Sequence, residues 1–125
     1  MKLGAPKKIF IVDDDEMLTE ALSDFLTRNI NHEISVFHTG EDLLKHIFEK
    51  PDVIILDYYL NSVNKDAANG LEILETIHEQ HLENIRVIML SSQESYVTAT
   101  QTIQKGAMQY IIKDEDAFQK IADSI

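Results

Sequence analysis

The chain has 125 residues, 22 of them acidic and 11 basic, which gives a formal net charge of -11. Hydrophobic residues make up 44% and charged residues 26%, a balance typical of one globular domain and unlike that of a disordered chain. The sequence contains no cysteine, which excludes disulfides, thiolate metal sites and thiol nucleophiles. A chain this acidic is repelled by phosphate backbones, so we expect no direct binding of nucleic acid.

The sequence shows no export or membrane signal. The first eight residues, MKLGAPKK, lack the apolar core of a signal peptide, and no apolar run approaches the length that spans a bilayer. We therefore expect a cytoplasmic protein that does not bind membranes, with residues 1–125 forming a single domain.

Five short apolar runs along the chain predict β-strands. They occupy residues 7–12, 34–37, 53–57, 85–90 and 110–112. In the third run, the four apolar residues Val-Ile-Ile-Leu, three of them β-branched, end abruptly at Asp57. Such a run is typical of a central strand in a parallel sheet that is covered on both faces.

Segments with helical periodicity follow each of the five strands. We expect a turn at Gly40 before the second helix, and we expect the fourth helix, with few large apolar residues beyond Tyr96, Val97 and Ile103, to be the weakest. The first helix is predicted to turn one apolar stripe toward the sheet, formed by Met17, Leu18, Ala21, Leu22, Phe25 and Leu26.

Alternating strands and helices predict an α/β fold, with a parallel sheet, right-handed crossovers and helices on both faces. Ligands of such sheets bind beyond the carboxyl ends of the strands. Four polar features stand at these ends: the acidic run 13–16 after the first strand, Asp57 after the third, Ser91 after the fourth and Lys113 after the fifth. We therefore expect these groups to meet at one edge of the sheet.

Together these groups have the chemistry needed for phosphoryl transfer. Asp13, Asp14 and Asp57 offer the oxygen ligands that Mg²⁺ prefers. Asp57 would act as the nucleophile and form an acyl phosphate, while Lys113 and Ser91 would contact the phosphoryl oxygens. Each residue also has an ordinary structural interpretation: helix caps for the acids, a turn for Asp57, a solvated strand end for Lys113 and a capping hydroxyl for Ser91.

The ordered motifs resemble the receiver domain of two-component response regulators, and the chemotaxis receiver in particular. The matching motifs are IVDD at 11–14, VIILD at 53–57, GLE at 70–72, VIMLSS at 87–92 and GAMQYIIK at 106–113. The resemblance implies a doubly wound, flavodoxin-like five-stranded parallel sheet with strand order 2-1-3-4-5. It also implies that Asp57 accepts a phosphoryl group from a sensor histidine kinase or a histidine phosphotransfer protein.

The resemblance further implies a metal site beside the phosphoacceptor. Mg²⁺ would be held by Asp14, Asp57, the backbone carbonyl of Tyr59 and waters, and Asp13 would act through a water. Lys113 would be the lysine of the site. By this resemblance the domain would not be an enzyme acting on other molecules, but would catalyse only its own phosphorylation and dephosphorylation.

The resemblance also implies a switch. Ser91 would move toward the phosphoryl group, and Tyr110 would turn inward to fill the space. The face formed by the fourth helix, fifth strand and fifth helix would then change its affinity for partners, and it could form a homodimer. The ordinary interpretations are a packed aromatic for Tyr110 and a frayed surface element for the helix. We also expect Tyr59 and Gln93 to screen the acyl phosphate from water.

Three features depart from the family pattern. Asn61 stands where proline is usual, within a loop to Gly70 that is longer than usual. Asp114 rather than proline follows Lys113, so the isomer of that bond is left open. The last helix stops early at Ile125, which suggests a domain cut from a longer protein.

Three other interpretations compete with the receiver domain. The D-x-D pattern of residues 13–15 also occurs in aspartate-nucleophile phosphatases, but Met17 stands where those enzymes need a hydroxyl or a small side chain. A docking domain that no longer takes phosphate would be expected to lack an acid, the nucleophile or the lysine, and this chain retains them all. His78 and His81 have a spacing typical of a solvated helix end rather than of a metal site.

Overall fold

The computed structural model describes residues 4–60, 67–80 and 84–125. Its strands are β1 (Lys8–Val12), β2 (Glu33–Phe37), β3 (Val53–Asp57), β4 (Arg86–Ser91) and β5 (Gln109–Ile112). They form one parallel sheet in the order β2-β1-β3-β4-β5. The predicted fold class and strand order are therefore confirmed.

The helices between the strands begin at recognisable caps. They are α1 (Glu16–Leu26), α2 (Gly40–His46), α3 (Gly70–Glu79), α4 (Tyr96–Gln104) and α5 (Ala117–Ser124), with a 3₁₀ turn at Ile47–Glu49 after α2. Asp15 caps α1, and Asn69 with Glu72 forms a capping box at α3. None of the helices in the described ranges is long and apolar enough to cross a membrane.

Two hydrophobic layers cover the sheet, one on each face. Alternate residues of each strand point to opposite faces, so Phe10 and Ile54 pack with α2 and α3, whereas Ile9 and Ile55 pack with α1 and α5. The central strand β3 is buried along its whole length, as predicted. This packing fixes the end of β3, and with it Asp57, between β1 and β4.

Two details of the first half of the chain differ from the prediction. Met17 is 82% exposed, because α1 buries the stripe through Leu22 and leaves the neighbouring Met17 and Ala21 in solvent. Gly40 does not form a turn but is the first residue of α2, which Thr39 caps. A Cβ on Gly40 would lie 2.2 Å from Ile73, so α2 packs directly on α3 at this point.

The fourth helix also packs differently from the prediction. The expected anchors Tyr96, Val97 and Ile103 are exposed, and Thr102 is the only fully buried residue of α4. Thr102 can be buried because its hydroxyl donates to the carbonyl oxygen of Thr98 at 2.8 Å. The prediction that α4 has few buried residues is therefore confirmed, but the buried residue is Thr102 rather than one of the large apolar side chains.

Candidate functional site

The parallel sheet brings the predicted site residues to one edge. Asp13 directly follows β1, Asp57 ends β3, Ser91 ends β4 and Lys113 directly follows β5. The backbone N–H of Lys113 donates to the carbonyl oxygen of Ser91 at 2.8 Å, which extends the pairing of β4 and β5 past the last strand residue. The expected convergence of these strand ends is therefore present.

Lys113 lies between two buried carboxylates. Its Nζ is 3.0 Å from Asp13 Oδ2 and 3.2 Å from Asp57 Oδ1. Asp13 is 1% exposed and Asp57 is 3% exposed, so both ion pairs lie largely out of water. Asp13 Oδ1 accepts from the backbone N–H of Asp15 at 2.9 Å, but among the described residues no donor forms a well-aligned hydrogen bond to Asp13 Oδ2.

The backbone behind Asp57 is packed closely against the start of α3. The N–H of Tyr59 donates to Asp57 Oδ1 at 3.3 Å, and the N–H of Gly70 donates to the carbonyl oxygen of Tyr58 at 2.8 Å. A Cβ on Gly70 would lie 2.3 Å from the carbonyl oxygen of Asp57. A residue without a side chain is therefore required where α3 begins.

The charges of the cluster shift each other's protonation. Burial, together with the neighbouring charge of Asp13, raises the pKa of Asp57 to about 6, although the ammonium of Lys113 opposes the shift. Burial lowers the pKa of Lys113, but the carboxylates of Asp57 and Asp13 outweigh it and the net pKa is raised. Near neutral pH, Asp57 is therefore mostly an anion facing a cation.

The cluster contains more negative than positive charge. Carboxylate oxygens of Asp13, Asp14 and Asp57 all lie within 4.8 Å of one another, whereas Lys113 supplies the ammonium that bridges two of them. A buried oxygen without a well-aligned donor, Asp13 Oδ2, belongs to the same cluster. These oxygen donors and their excess charge fit a hard divalent cation such as Mg²⁺.

Gln93 connects the predicted switch residues. Its backbone N–H donates to the hydroxyl oxygen of the fully buried Ser91 at 3.1 Å, and its carbonyl oxygen accepts from the Tyr110 hydroxyl at 2.7 Å. Its side-chain Oε1 accepts from the Tyr59 hydroxyl. The sequence indicated Gln93 only as a screen for Asp57 and gave no sign of the contacts to Ser91 and Tyr110.

Sequence reasoning missed His38. Its Nδ1 is 2.9 Å from the carbonyl oxygen of Asp13, directly behind the acidic cluster. The available signal was its position, because His38 directly follows β2 and therefore lies at the same edge of the sheet as Asp13.

The structure settles the isomer of the Lys113–Asp114 bond but describes only part of the long loop. No cis peptide bond occurs in the described part of the chain, so the Lys113–Asp114 bond is trans. Asn61 and His81 lie outside the described residues, and so do residues 62–66 of the long loop. His78 is exposed on α3, and the acidic cluster is the only potential metal-binding group among the described residues.

Fold and site together define a class: a doubly wound α/β domain with a carboxylate cluster and a lysine at the carboxyl edge of its sheet. A sequence model of the response regulator receiver domain matches residues 9–124. The chain belongs to this family. The family assignment made from the motifs is therefore confirmed.

Individual relatives agree with this assignment. The chain is 34% identical over 108 residues to the probable C4-dicarboxylate response regulator DctR of Bacillus subtilis, covering 85% of the chain and 45% of DctR. It is 36% identical over 110 residues to a Bacillus subtilis protein-glutamate methylesterase/protein-glutamine glutaminase, covering 85% of the chain and 29% of that protein. The chain thus spans less than half the length of either relative.

Solved structures show the same fold. The BeF3-activated DrrB receiver domain is 27% identical to the chain and superimposes with a TM-score of 0.79, covering 95% of this chain and 94% of that one. The match extends over nearly the whole of both chains.

Proposed function

We propose that the chain is a phosphoacceptor switch of a two-component phosphorelay, in which Asp57 accepts a phosphoryl group from a histidine kinase or a histidine phosphotransfer protein. The observation that carries this proposal is the position of Asp57. Its buried carboxylate ends the central strand and faces Lys113 at 3.2 Å within the acidic cluster. Burial and an ammonium partner together suit a carboxylate nucleophile.

In this phosphoryl transfer, Asp57, Lys113 and Ser91 would have different roles. An oxygen of Asp57 bonds to phosphorus as the bond from phosphorus to the donor's imidazole nitrogen breaks, and the electron pair leaves with that nitrogen. Lys113 is positioned to neutralise a phosphoryl oxygen, and the hydroxyl of Ser91, at the end of the neighbouring strand, is available as a donor to another. The chain would catalyse only its own phosphorylation and dephosphorylation.

The acidic cluster would hold Mg²⁺. The ligands would be carboxylates of Asp14 and Asp57 and the backbone carbonyl of Tyr59, with Asp13 acting through a water. The clustered oxygens and the buried Asp13 Oδ2 support this set. When bound, the metal supplies positive charge that offsets carboxylate repulsion and stabilises phosphoryl oxygens.

The signal would leave the site through Gln93. If the Ser91 hydroxyl turns to a phosphoryl oxygen, it no longer accepts from the backbone N–H of Gln93, whose carbonyl holds the Tyr110 hydroxyl. Release of this segment, three residues before α4 begins, would let Tyr110 turn inward and move α4. A coupling of about 1–3 kcal/mol is enough for a useful switch.

The face formed by α4, β5 and α5 would receive the partner, and we propose a second copy of the chain. The nine residues of α4 carry no charge although the chain has a net charge of -11, and Tyr96 is 87% exposed beside Ile103. Two copies can meet on this neutral face without the repulsion that opposes contact elsewhere. Sedimentation with beryllofluoride and Mg²⁺ should show a dimer that Ile103→Glu abolishes; a wild type that stays monomeric contradicts the dimer.

The Tyr59–Gln93 contact would lengthen the lifetime of the acyl phosphate. The two side chains join the loop after β3 to the loop after β4, beside Asp57, and can exclude water from it. We expect Tyr59→Ser to speed dephosphorylation severalfold, while Tyr59→Phe, which keeps the ring, has a smaller effect. Phosphoprotein decay after removal of the donor measures both, and an unchanged Tyr59→Ser lifetime contradicts the idea.

Intact mass measurement tests the proposed function. With acetyl phosphate and Mg²⁺, the wild type should gain the mass of one phosphoryl group, and Asp57→Asn should gain none. Asp52→Asn is the matched control, because Asp52 lies just before the opposite end of β3 and is exposed. Modification of Asp57→Asn to the wild-type extent, or no modification of the wild type, would overturn the proposal.

A further inference from the structure

We infer that His38 is a positioning residue for the acidic pair, which it holds in place through the backbone of Asp13. The inference rests on the proposed function, because it concerns how the metal ligands are fixed. His38 lies outside the five motifs that the chain shares with the family. Its role follows from the contacts made by the two neighbouring loops, after β1 and after β2.

The imidazole is the donor in this contact. The carbonyl oxygen of Asp13 can only accept, so the Nδ1 of His38, 2.9 Å away, must carry the proton. Both the neutral Nδ1–H tautomer and the imidazolium have this proton. The hydrogen bond can therefore form whether or not His38 is charged. It restrains the backbone of Asp13 and does not act as a pH switch.

Both chain neighbours of His38 are held by contacts of their own. Before it, the ring of Phe37 packs edge-on against Phe10, with 4.9 Å between ring centroids. After it, the hydroxyl of Thr39 accepts from the N–H of Asp42 and caps α2. These contacts hold the backbone on both sides of His38, so only the torsions of its exposed side chain remain to be ordered when the ring donates to Asp13.

His38 completes the restraints on Asp13. The Asp13 N–H donates to the carbonyl oxygen of Phe37 at 3.0 Å, Oδ1 accepts from the Asp15 N–H, and Oδ2 faces Lys113. With the carbonyl held by His38, each polar atom of Asp13 has a neighbour that fixes its direction. The turn through residues 13–15, which also carries Asp14, thereby resists the mutual repulsion of its carboxylates.

The test compares two substitutions whose side chains have the same number of heavy atoms and the same branching at Cγ. Asn has an amide donor near the position of Nδ1, and Leu has none, so His38→Asn should keep the restraint and His38→Leu should lose it. By analogy with groups that orient metal ligands, we expect His38→Leu to bind Mg²⁺ roughly tenfold more weakly, and His38→Asn to bind it nearly as the wild type does. Calorimetric titration with Mg²⁺ measures the affinities.

Hydrogen exchange of the Asp15 amide provides a second measurement that needs no metal. It should be faster in His38→Leu than in the wild type and unchanged in His38→Asn, with similar melting temperatures for all three proteins. Equal exchange and equal Mg²⁺ affinity in the two variants would overturn the positioning role. If the wild type bound no Mg²⁺, the proposed metal site would be wrong, and the exchange comparison would still decide the role of His38.

Discussion

At the scale of single residues, the environment of Asp57 lowers folding stability when its carboxylate is ionised. Burial and the charge of Asp13 raise the pKa of Asp57 to about 6, which means that folding makes its ionised form less favourable. Lys113 recovers part of this cost but does not cancel it. A buried carboxylate whose ionised form is disfavoured by burial and by a neighbouring carboxylate is more typical of a functional site than of a structural ion pair.

This cost predicts that Asp57→Asn stabilises the metal-free protein. The folded pKa of about 6 lies above the ordinary value of 3.8, so the folded state binds more protons than the unfolded chain between these values. Stability contributed by Asp57 is therefore lost as pH rises through this window. We expect Asp57→Asn to raise the free energy of unfolding by about 3 kcal/mol near neutral pH, and by much less near pH 4.

Urea unfolding in chelator at a series of pH values measures this difference. Asp52→Asn, at an exposed aspartate, serves as the control and should show no such pH-dependent gain. An Asp57→Asn protein no more stable than the wild type near neutral pH would show that the ionised carboxylate carries no net cost.

A second residue-scale prediction concerns Gly70. Helix propensity alone would favour alanine at the start of α3. However, the added Cβ would lie 2.3 Å from the carbonyl oxygen of Asp57 and 2.8 Å from Tyr58 Cα, both of them backbone atoms. We expect Gly70→Ala to lower the free energy of unfolding by about 1–3 kcal/mol and to slow phosphorylation.

Denaturant unfolding and the rate of mass gain with acetyl phosphate measure these two effects. The control is Gly4→Ala, whose Cβ would meet only Ile30 at 4.0 Å and should change neither quantity. A Gly70→Ala protein of wild-type stability would show that α3 can move away from Asp57 without cost.

At the scale of elements, α4 differs from the other helices. Thr102 is its only buried residue, whereas α3 buries Gly70, Ile73, Leu74 and Ile77. A helix with so few buried anchors opens locally at low free energy, which suits the element that we propose to move when Gln93 is released.

Hydrogen exchange can test this difference between helices. Amides of α4 should exchange through local opening at a lower free energy than amides of α3, and they should do so in the unphosphorylated protein. Equal protection of the two helices, at the level of global unfolding, would mean that α4 is not the mobile element.

The same scale shows what the sequence could and could not predict. The ends of the strands could be predicted because each buried strand is a continuous apolar run, and the run stops at a polar residue where the strand leaves the core. The buried face of α4 could not be predicted, because Thr102 is polar and yet becomes fully buried when its hydroxyl donates to the carbonyl oxygen of Thr98. His38 and Gln93 could not be assigned their contacts, since these depend on loop geometry rather than on periodicity.

At the scale of the whole molecule, charge is distributed unevenly between two surfaces. The carboxyl edge collects carboxylates around Lys113, and α4 presents an uncharged surface in a chain whose net charge is -11. In the proposed switch, phosphorylation at the carboxyl edge would change the binding of a partner at the uncharged surface of α4. The coupling that we propose runs through Gln93, which contacts Ser91 at the end of β4 and Tyr110 in β5.

Amide NMR of the wild type with beryllofluoride and Mg²⁺ tests the central claim most directly, namely that chemistry at Asp57 reaches α4. We predict shifts at Asp57 and Ser91 together with shifts from Tyr96 to Tyr110, and none of them in Asp57→Asn. Shifts confined to the carboxyl edge, with residues 96–110 unmoved, would contradict the switch, and the same shifts in Asp57→Asn would contradict the phosphoacceptor.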